Sequence, residues 1–190
     1  SYMGKSVKIQ VLTENSFTGV DYALFSAGST ISEKFAPIAA AAGAIVIDNT
    51  SFFRMKPNIP LVVPEVNGHA ALKHQGIIAN PNCSTAQLVM ALKPIHDEYN
   101  IERIVIATYQ SVSGAGKDAL QELENHSRFN LAGKEAKPEQ FPYPMPFNVI
   151  PQIDVFLDNG YTKEEMKMVE ETKKILETDI KVTATAVRVP

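Results

Sequence analysis

The one cysteine of the 190-residue chain sits in Asn80-Pro81-Asn82-Cys83-Ser84-Thr85, where a strand runs into a helix. Gly76-Ile77-Ile78-Ala79 reads as a short buried strand, and Leu88, Ala91, Leu92 and Ile95 put apolar residues on one face of the helix that follows. Cys83 is therefore expected at the helix entrance, where backbone N–H groups and the positive end of the helix dipole favour thiolate over thiol. A thiolate attacks carbonyl carbon, so the residues point to covalent acyl chemistry. A buried structural cysteine is the alternative, and the polar neighbours Asn82, Ser84 and Thr85 weigh against it.

The elements that must hold this thiol follow an α/β grammar. Val7, Ile9 and Val11 alternate with polar residues as a half-buried strand does, and Asp21–Phe25 reads as a more deeply buried one ending at Ser26-Ala27-Gly28-Ser29. The alanine-rich stretch 35–42, closed by Gly43, predicts a helix in which Pro37 is tolerable only in the first turn. Strands are expected at 44–48 and 61–63. Strand, helix, strand with short loops predicts a parallel sheet. A longer strand at 103–109, a glycine turn at Ser113-Gly114-Ala115-Gly116 and a helix near 117–131 begin a second part. Prolines 138, 142, 144, 146 and 151 make the next stretch an irregular loop or interface arm. Thr162-Lys163-Glu164-Glu165 predicts a capping box opening a helix that runs to about Glu177, and 182–189 a final strand.

Composition narrows the function classes. Hydrophobic residues make up 45% and charged residues 21%, ordinary values for a soluble fold, and the net charge of −3 comes with no basic stripe for nucleic acid. One cysteine excludes an internal disulfide framework and a cysteine zinc cluster, so no metal is expected and a reducing cytoplasm is the expected compartment. No apolar run reaches the ~20 residues of a membrane helix. No Gly-x-Gly-x-x-Gly follows a strand, and Gly114–Asp118 lacks the first glycine and the Ser/Thr of a Walker motif.

Four ordered blocks carry a resemblance: Asp48-Asn49-Thr50-Ser51-Phe52-Phe53-Arg54-Met55, Val62–Asn67, Asn80–Thr85 and Tyr109-Gln110-Ser111-Val112-Ser113-Gly114-Ala115-Gly116. Together they resemble the aspartate-semialdehyde dehydrogenase family from near Gly4 to Pro190. The resemblance implies a Rossmann-type parallel sheet, of which 1–83 would be a partial NADP-binding domain. It also implies a partial α+β catalytic and dimerisation domain, 84–190, of the glyceraldehyde-phosphate-dehydrogenase-like type. The implied activity is NADPH-dependent reductive dephosphorylation of L-aspartyl 4-phosphate to L-aspartate 4-semialdehyde, a step toward lysine, threonine, methionine and isoleucine. Cys83 would attack the acyl phosphate and form a thioester. By resemblance Gln110 orients the substrate, Asn82 and Arg54 contact phosphate, Glu171 meets the substrate ammonium, Lys174 is a second phosphate contact, and Arg188 grips the α-carboxylate. Ser26, Ala27, Gly28, Ser113 and Gly114, with Asn49 and Ser51, resemble cofactor contacts. The family implies a homodimer or homotetramer.

Residue types alone read these positions more plainly: Gln110 as a polar strand end, Arg54 as a surface arginine, Glu171 and Lys174 as a solvated i,i+3 pair, and Arg188 as half of a surface ion pair. His69, His74, His96 and His126 match no family catalytic position and are expected to serve surface, cap or core. The family's acid/base histidine follows the Arg188 motif, and the chain ends at Pro190; its first glycine-rich turn is also not in the sequence. The expectation is an internal portion of the enzyme, impaired or inactive by itself. An N-acetyl-glutamyl-phosphate reductase-like enzyme and a non-catalytic dimerisation module remain as alternatives.

Overall fold

A computed structural model describes residues 3–190, so Ser1 and Tyr2, where the expected first domain begins, lie outside the described residues. The chain divides into two compact units, Ser1–Pro81 and Asn82–Pro190.

In the first unit, strands β1 (Tyr22–Phe25), β2 (Ile45–Asp48) and β3 (Ile77–Ala79) form a parallel sheet in that order. Helix α1 (Ser29–Ala41) connects β1 to β2, and a single helical turn, α2 (Pro64–Asn67), precedes β3. Val46, Ala36 and Ala39 are fully buried between α1 and the sheet, and Phe17, from a short 3-10 turn, stacks on Phe25 with ring centroids 5.9 Å apart. Asp48 is the last residue of β2, and its buried carboxylate accepts from Ser32 Oγ at 2.8 Å, Thr50 N at 3.1 Å and Thr50 Oγ1 at 2.9 Å. Those bonds tie the turn after β2 to α1.

Four expectations need correction here. Residues 6–13 form no regular element; Ile9 is 93% exposed, because alternation makes a strand only where a neighbour supplies backbone partners and a face to cover. β1 buries one face only, with Leu24 80% exposed. Pro37 lies in the interior of α1, not in its first turn. Its missing N–H concerns the carbonyl of exposed Glu33, which water can satisfy. Residues 61–63 contribute a single parallel bridge, Leu61 to Ala79, rather than a strand, since Pro60 and Pro64 flank them.

Gly76 shows how tightly α1 lies on the sheet. It adopts φ +92°, and a Cβ there would meet Ala40 Cβ at 2.7 Å. Left-handed backbone costs about 1–2 kcal/mol for a side-chain-bearing residue, before any packing strain is added. Gly76→Ala is expected to destabilise the fold by about 2 kcal/mol, read as a lower urea midpoint at unchanged slope.

The second unit opens with α3 (Cys83–Tyr99), followed by β4 (Arg103–Ser111), a 3-10 turn at Val112–Ala115, α4 (Lys117–Leu131), α5 (Lys163–Leu176) and β5 (Lys181–Val189). β4 and β5 pair in parallel from Arg103↔Lys181 to Ser111↔Val189. The helix α5 packs on β5 and α3, and its Met168 and Val169 meet Ile153, Ala184 and Ala186 in one core. The capping box at its start is present: Thr162 N donates to Glu165 Oε2 at 2.7 Å, and Glu165 N to Thr162 Oγ1 at 3.3 Å. Glu165 Oε1 also accepts from Ala186 N at 3.0 Å, fastening α5 to β5.

Between α4 and α5 the proline-rich stretch is irregular, as its five prolines require. It is nonetheless anchored. Met145 and Ile150 pack on Val112, and Ile150 exchanges both backbone hydrogen bonds with Arg188, at 2.9 and 2.8 Å. In α3 the buried stripe runs through Thr85 and Val89, not through Leu88, Ala91, Leu92 and Ile95 as expected from periodicity. α5 covers the former, while Ile95 is left 49% exposed. No helix among the described residues is long and apolar enough to cross a membrane.

Candidate functional site

Cys83 is the first residue of the 17-residue α3, and its side chain is exposed. Asn82 is the N-cap: its Oδ1 accepts from Ser84 N at 2.9 Å, which satisfies one of the amides left over at a helix start. Two buried carboxylates from α5 hold Asn82 from the other side. Glu171 Oε2 accepts the Asn82 backbone N–H at 2.7 Å, and Glu164 Oε1 accepts from Asn82 Nδ2 at 3.0 Å. The residue preceding the thiol is thus bonded through its backbone and both ends of its side chain.

The thiol opens onto a cleft of about 580 Å³ within the second unit, lined among others by Gln110, Ser113, Gly114 and Arg188. Gln110, near the end of β4, is half-buried and donates through Nε2 to Thr108 Oγ1 at 3.1 Å. Arg188 is 7% exposed and donates through Nη1 to the Ser111 carbonyl at 2.8 Å. Burial pulls its guanidinium below the usual arginine range, while the nearby Glu164 and Cys83 act in the opposite direction. The cleft therefore presents a nucleophile, an amide and a cation to one volume.

Two residues that periodicity did not single out belong to this arrangement. Glu164 and Lys167 repeat, seven residues earlier on α5, the i,i+3 spacing of Glu171 and Lys174. Lys167 Nζ lies 3.1 Å from Glu164 Oε2 and 3.3 Å from Asp154 Oδ2. Burial works against the Lys167 charge, but Glu164 and Asp154 outweigh it and hold the ammonium above the usual lysine value. Asp154 feels burial too, yet the Val155 N–H and Lys167 keep it below the usual carboxylate value. Glu171, 1% exposed, is turned into the protein toward the Asn82 backbone, and Lys174 is half-buried, its ammonium pulled below the usual lysine value by burial. Glu164 stands one residue before the capping-box Glu165, in the first turn of α5, and its bond to Asn82 joins that turn to the α3 N-terminus.

The remaining expected residues lie in the first unit. Ser26, Ala27 and Gly28 are exposed at the C-terminal end of β1, and Gly28, at φ +99°, is the N-cap of α1. Asn49 Nδ2 donates to Ser26 Oγ at 3.3 Å, and the Ser51 and Ser29 hydroxyls are 3.2 Å apart. Hydroxyls, an amide and a helix N-terminus at the C-terminal ends of parallel strands suit the phosphates and ribose of a dinucleotide, and a Cβ at Gly28 would meet nothing within 4 Å, so the approach is open. Arg54 is buried and spans the turn, with Nε to Asn80 O and Nη2 to Asn49 O, each at 2.9 Å. Two histidines have structural partners: His74 Nδ1 accepts from Gly76 N and His96 Nδ1 from Ile101 N, each at 3.0 Å. Among the described residues no group of three or more His, Cys, Asp or Glu side chains is arranged to hold a metal ion.

Comparison with known proteins matches two family models: semialdehyde dehydrogenase, dimerisation domain, over residues 92–190, and semialdehyde dehydrogenase, NAD binding domain, over residues 1–74. Among curated relatives, the aspartate-semialdehyde dehydrogenase of Campylobacter jejuni subsp. jejuni serotype O:2 is 53% identical over 195 residues, covering 100% of this chain and 57% of that protein. Among solved structures, aspartate semialdehyde dehydrogenase II from Vibrio cholerae superposes with a TM-score of 0.96 at 55% identity, covering 100% of this chain and 58% of that one. The same enzyme complexed with ASA gives a TM-score of 0.96 at 54% identity, covering 100% of this chain and 57% of that one. The chain spans a little over half the length of the relatives it matches.

Proposed function

We propose, because this chain belongs to the semialdehyde dehydrogenase family, that it carries the nucleophile and the substrate clamp of an aspartate-semialdehyde dehydrogenase. The reaction is the NADPH-dependent conversion of L-aspartyl 4-phosphate to L-aspartate 4-semialdehyde and phosphate, in the biosynthesis of the aspartate-derived amino acids. The observation that carries this reading is the exposed Cys83 thiol at a helix N-terminus, in one cleft with the Gln110 amide and the Arg188 guanidinium.

The residues divide the work as follows. Cys83 Sγ attacks the acyl carbon; a C–S bond forms, the C–O bond to phosphate breaks, and an acyl-thioester remains on Cys83. Gln110 holds the carbonyl oxygen, where a neutral amide donates without itself titrating. Arg188 binds the α-carboxylate through its guanidinium fork. Asn82, with one Nδ2 hydrogen beyond its bond to Glu164, contacts the departing phosphate, and Arg54 and Lys174 are further phosphate contacts. Glu171 was expected at the substrate ammonium; its bond to the Asn82 backbone favours a positioning role, and Glu164, paired with Lys167, is the better placed carboxylate for that ammonium.

NADP fits the donor set of Ser26, Ala27, Gly28, Asn49 and Ser51, and NADPH supplies the reducing electrons when bound. Residues 1–83 act as part of the cofactor domain and 84–190 as part of the catalytic and dimerisation domain, in a cytoplasmic homodimer or homotetramer. The solved neighbour complexed with ASA supports the substrate class.

The test is to give the natural protein that carries this chain aspartate semialdehyde, phosphate and NADP⁺ and to follow NADPH absorbance, with N-acetylglutamate semialdehyde as the competing substrate. Turnover of the first alone is expected. Turnover of the second alone moves the assignment to the reductase alternative, and turnover of neither removes it.

A further inference from the structure

Gly114 lies in the turn that follows β4, exposed, with a φ outside the left-handed region, so its backbone alone does not demand glycine. Its surroundings do. A Cβ at this position would stand 3.2 Å from Arg188 Nη1, closer than an ordinary van der Waals contact. Nη1 is also the nitrogen that donates to the Ser111 carbonyl at 2.8 Å. The guanidinium has little freedom to yield, because Arg188 is buried and Nη1 is committed to that carbonyl, while the backbone is fixed to Ile150 through both N–H and C=O, at 2.8 and 2.9 Å. A methyl group at 114 therefore meets a guanidinium held at its root and at its tip.

We infer that Gly114 is a positioning residue for Arg188: the missing side chain at 114 sets where the guanidinium fork stands in the Cys83 cleft, and so governs recognition of the substrate carboxylate. This differs from the cofactor contact that the glycine-rich turn alone suggests, and it rests on the reading of Arg188 as the carboxylate clamp. A bidentate fork is sensitive to tilt, since both of its bonds depend on one plane. A displacement of a few tenths of an ångström at Nη1 is shared between the Ser111 bond and the substrate contact.

Gly114→Ala, Arg188→Lys and the double variant decide the matter in the natural protein carrying this chain, with KM for substrate and for NADP⁺ and kcat measured for each. Because a carboxylate contact made alike in the ground and transition states is read in KM, Gly114→Ala should raise substrate KM roughly 10-fold, with cofactor KM and kcat nearly unchanged. In the double variant the alanine should add nothing to Arg188→Lys, because an ammonium has no Nη1 for the methyl to meet. A rise in cofactor KM alone, an equal fall in kcat, or full additivity in the double variant overturns the inference while leaving the carboxylate clamp standing. Should Arg188→Lys leave substrate KM unchanged, the clamp itself falls, and the role of Gly114 with it.

Discussion

Cys83→Ser is expected to lower turnover by at least about 10⁴-fold while leaving the fold intact, since loss of a covalent nucleophile removes the step that every later one needs. The serine hydroxyl occupies the same place at the start of α3, but a serine ionises far less readily than a cysteine and is the weaker nucleophile. Because the side chain is exposed, the change in stability should stay within about 0.5 kcal/mol. Steady-state assays beside a denaturation curve separate the two effects. If the serine protein kept more than about one hundredth of the activity, the thioester route would fall.

The second large effect lies beneath the cleft. Glu171→Ala removes the acceptor of the Asn82 backbone N–H and leaves a buried donor unpaired beside an empty volume. Together these should cost about 3 kcal/mol or more. Glu171→Gln keeps an acceptor oxygen in nearly the same place and should cost only about 1 kcal/mol. Urea midpoints of the two variants give the comparison. Activity should follow the same order, because Asn82 is the N-cap on which the position of Cys83 depends. Equal and small losses in both variants would mean that the Asn82 N–H finds another partner and that Glu171 does not hold the α3 N-terminus.

The same bond shows why part of the site was unreadable. Glu164–Lys167 and Glu171–Lys174 have identical spacing on one amphipathic helix, and a pattern that repeats after seven residues gives no reason to prefer either pair. The preference is set by where α5 lies on α3, through bonds that join residues 82 and 89 positions apart. The early stretch Val7–Val11 failed for a related reason: alternation states which face would be buried, not whether a partner exists to bury it.

Local rules carried far where the physics is local. The capping box at Thr162, the helix at Lys117–Leu131, the irregularity imposed by the prolines and the placement of Cys83 at a helix start all follow from a few neighbouring residues, because capping, φ restriction and helical periodicity act over one or two turns. The union of Cys83, Gln110, Gly114 and Arg188 in one cleft does not follow from such rules. It required β4 and β5, 70 or more residues apart in sequence, to pair in register so that Gln110 faces Arg188 across the ladder, and a side chain's chemical surroundings are set by those long-range pairings rather than by its neighbours in the chain.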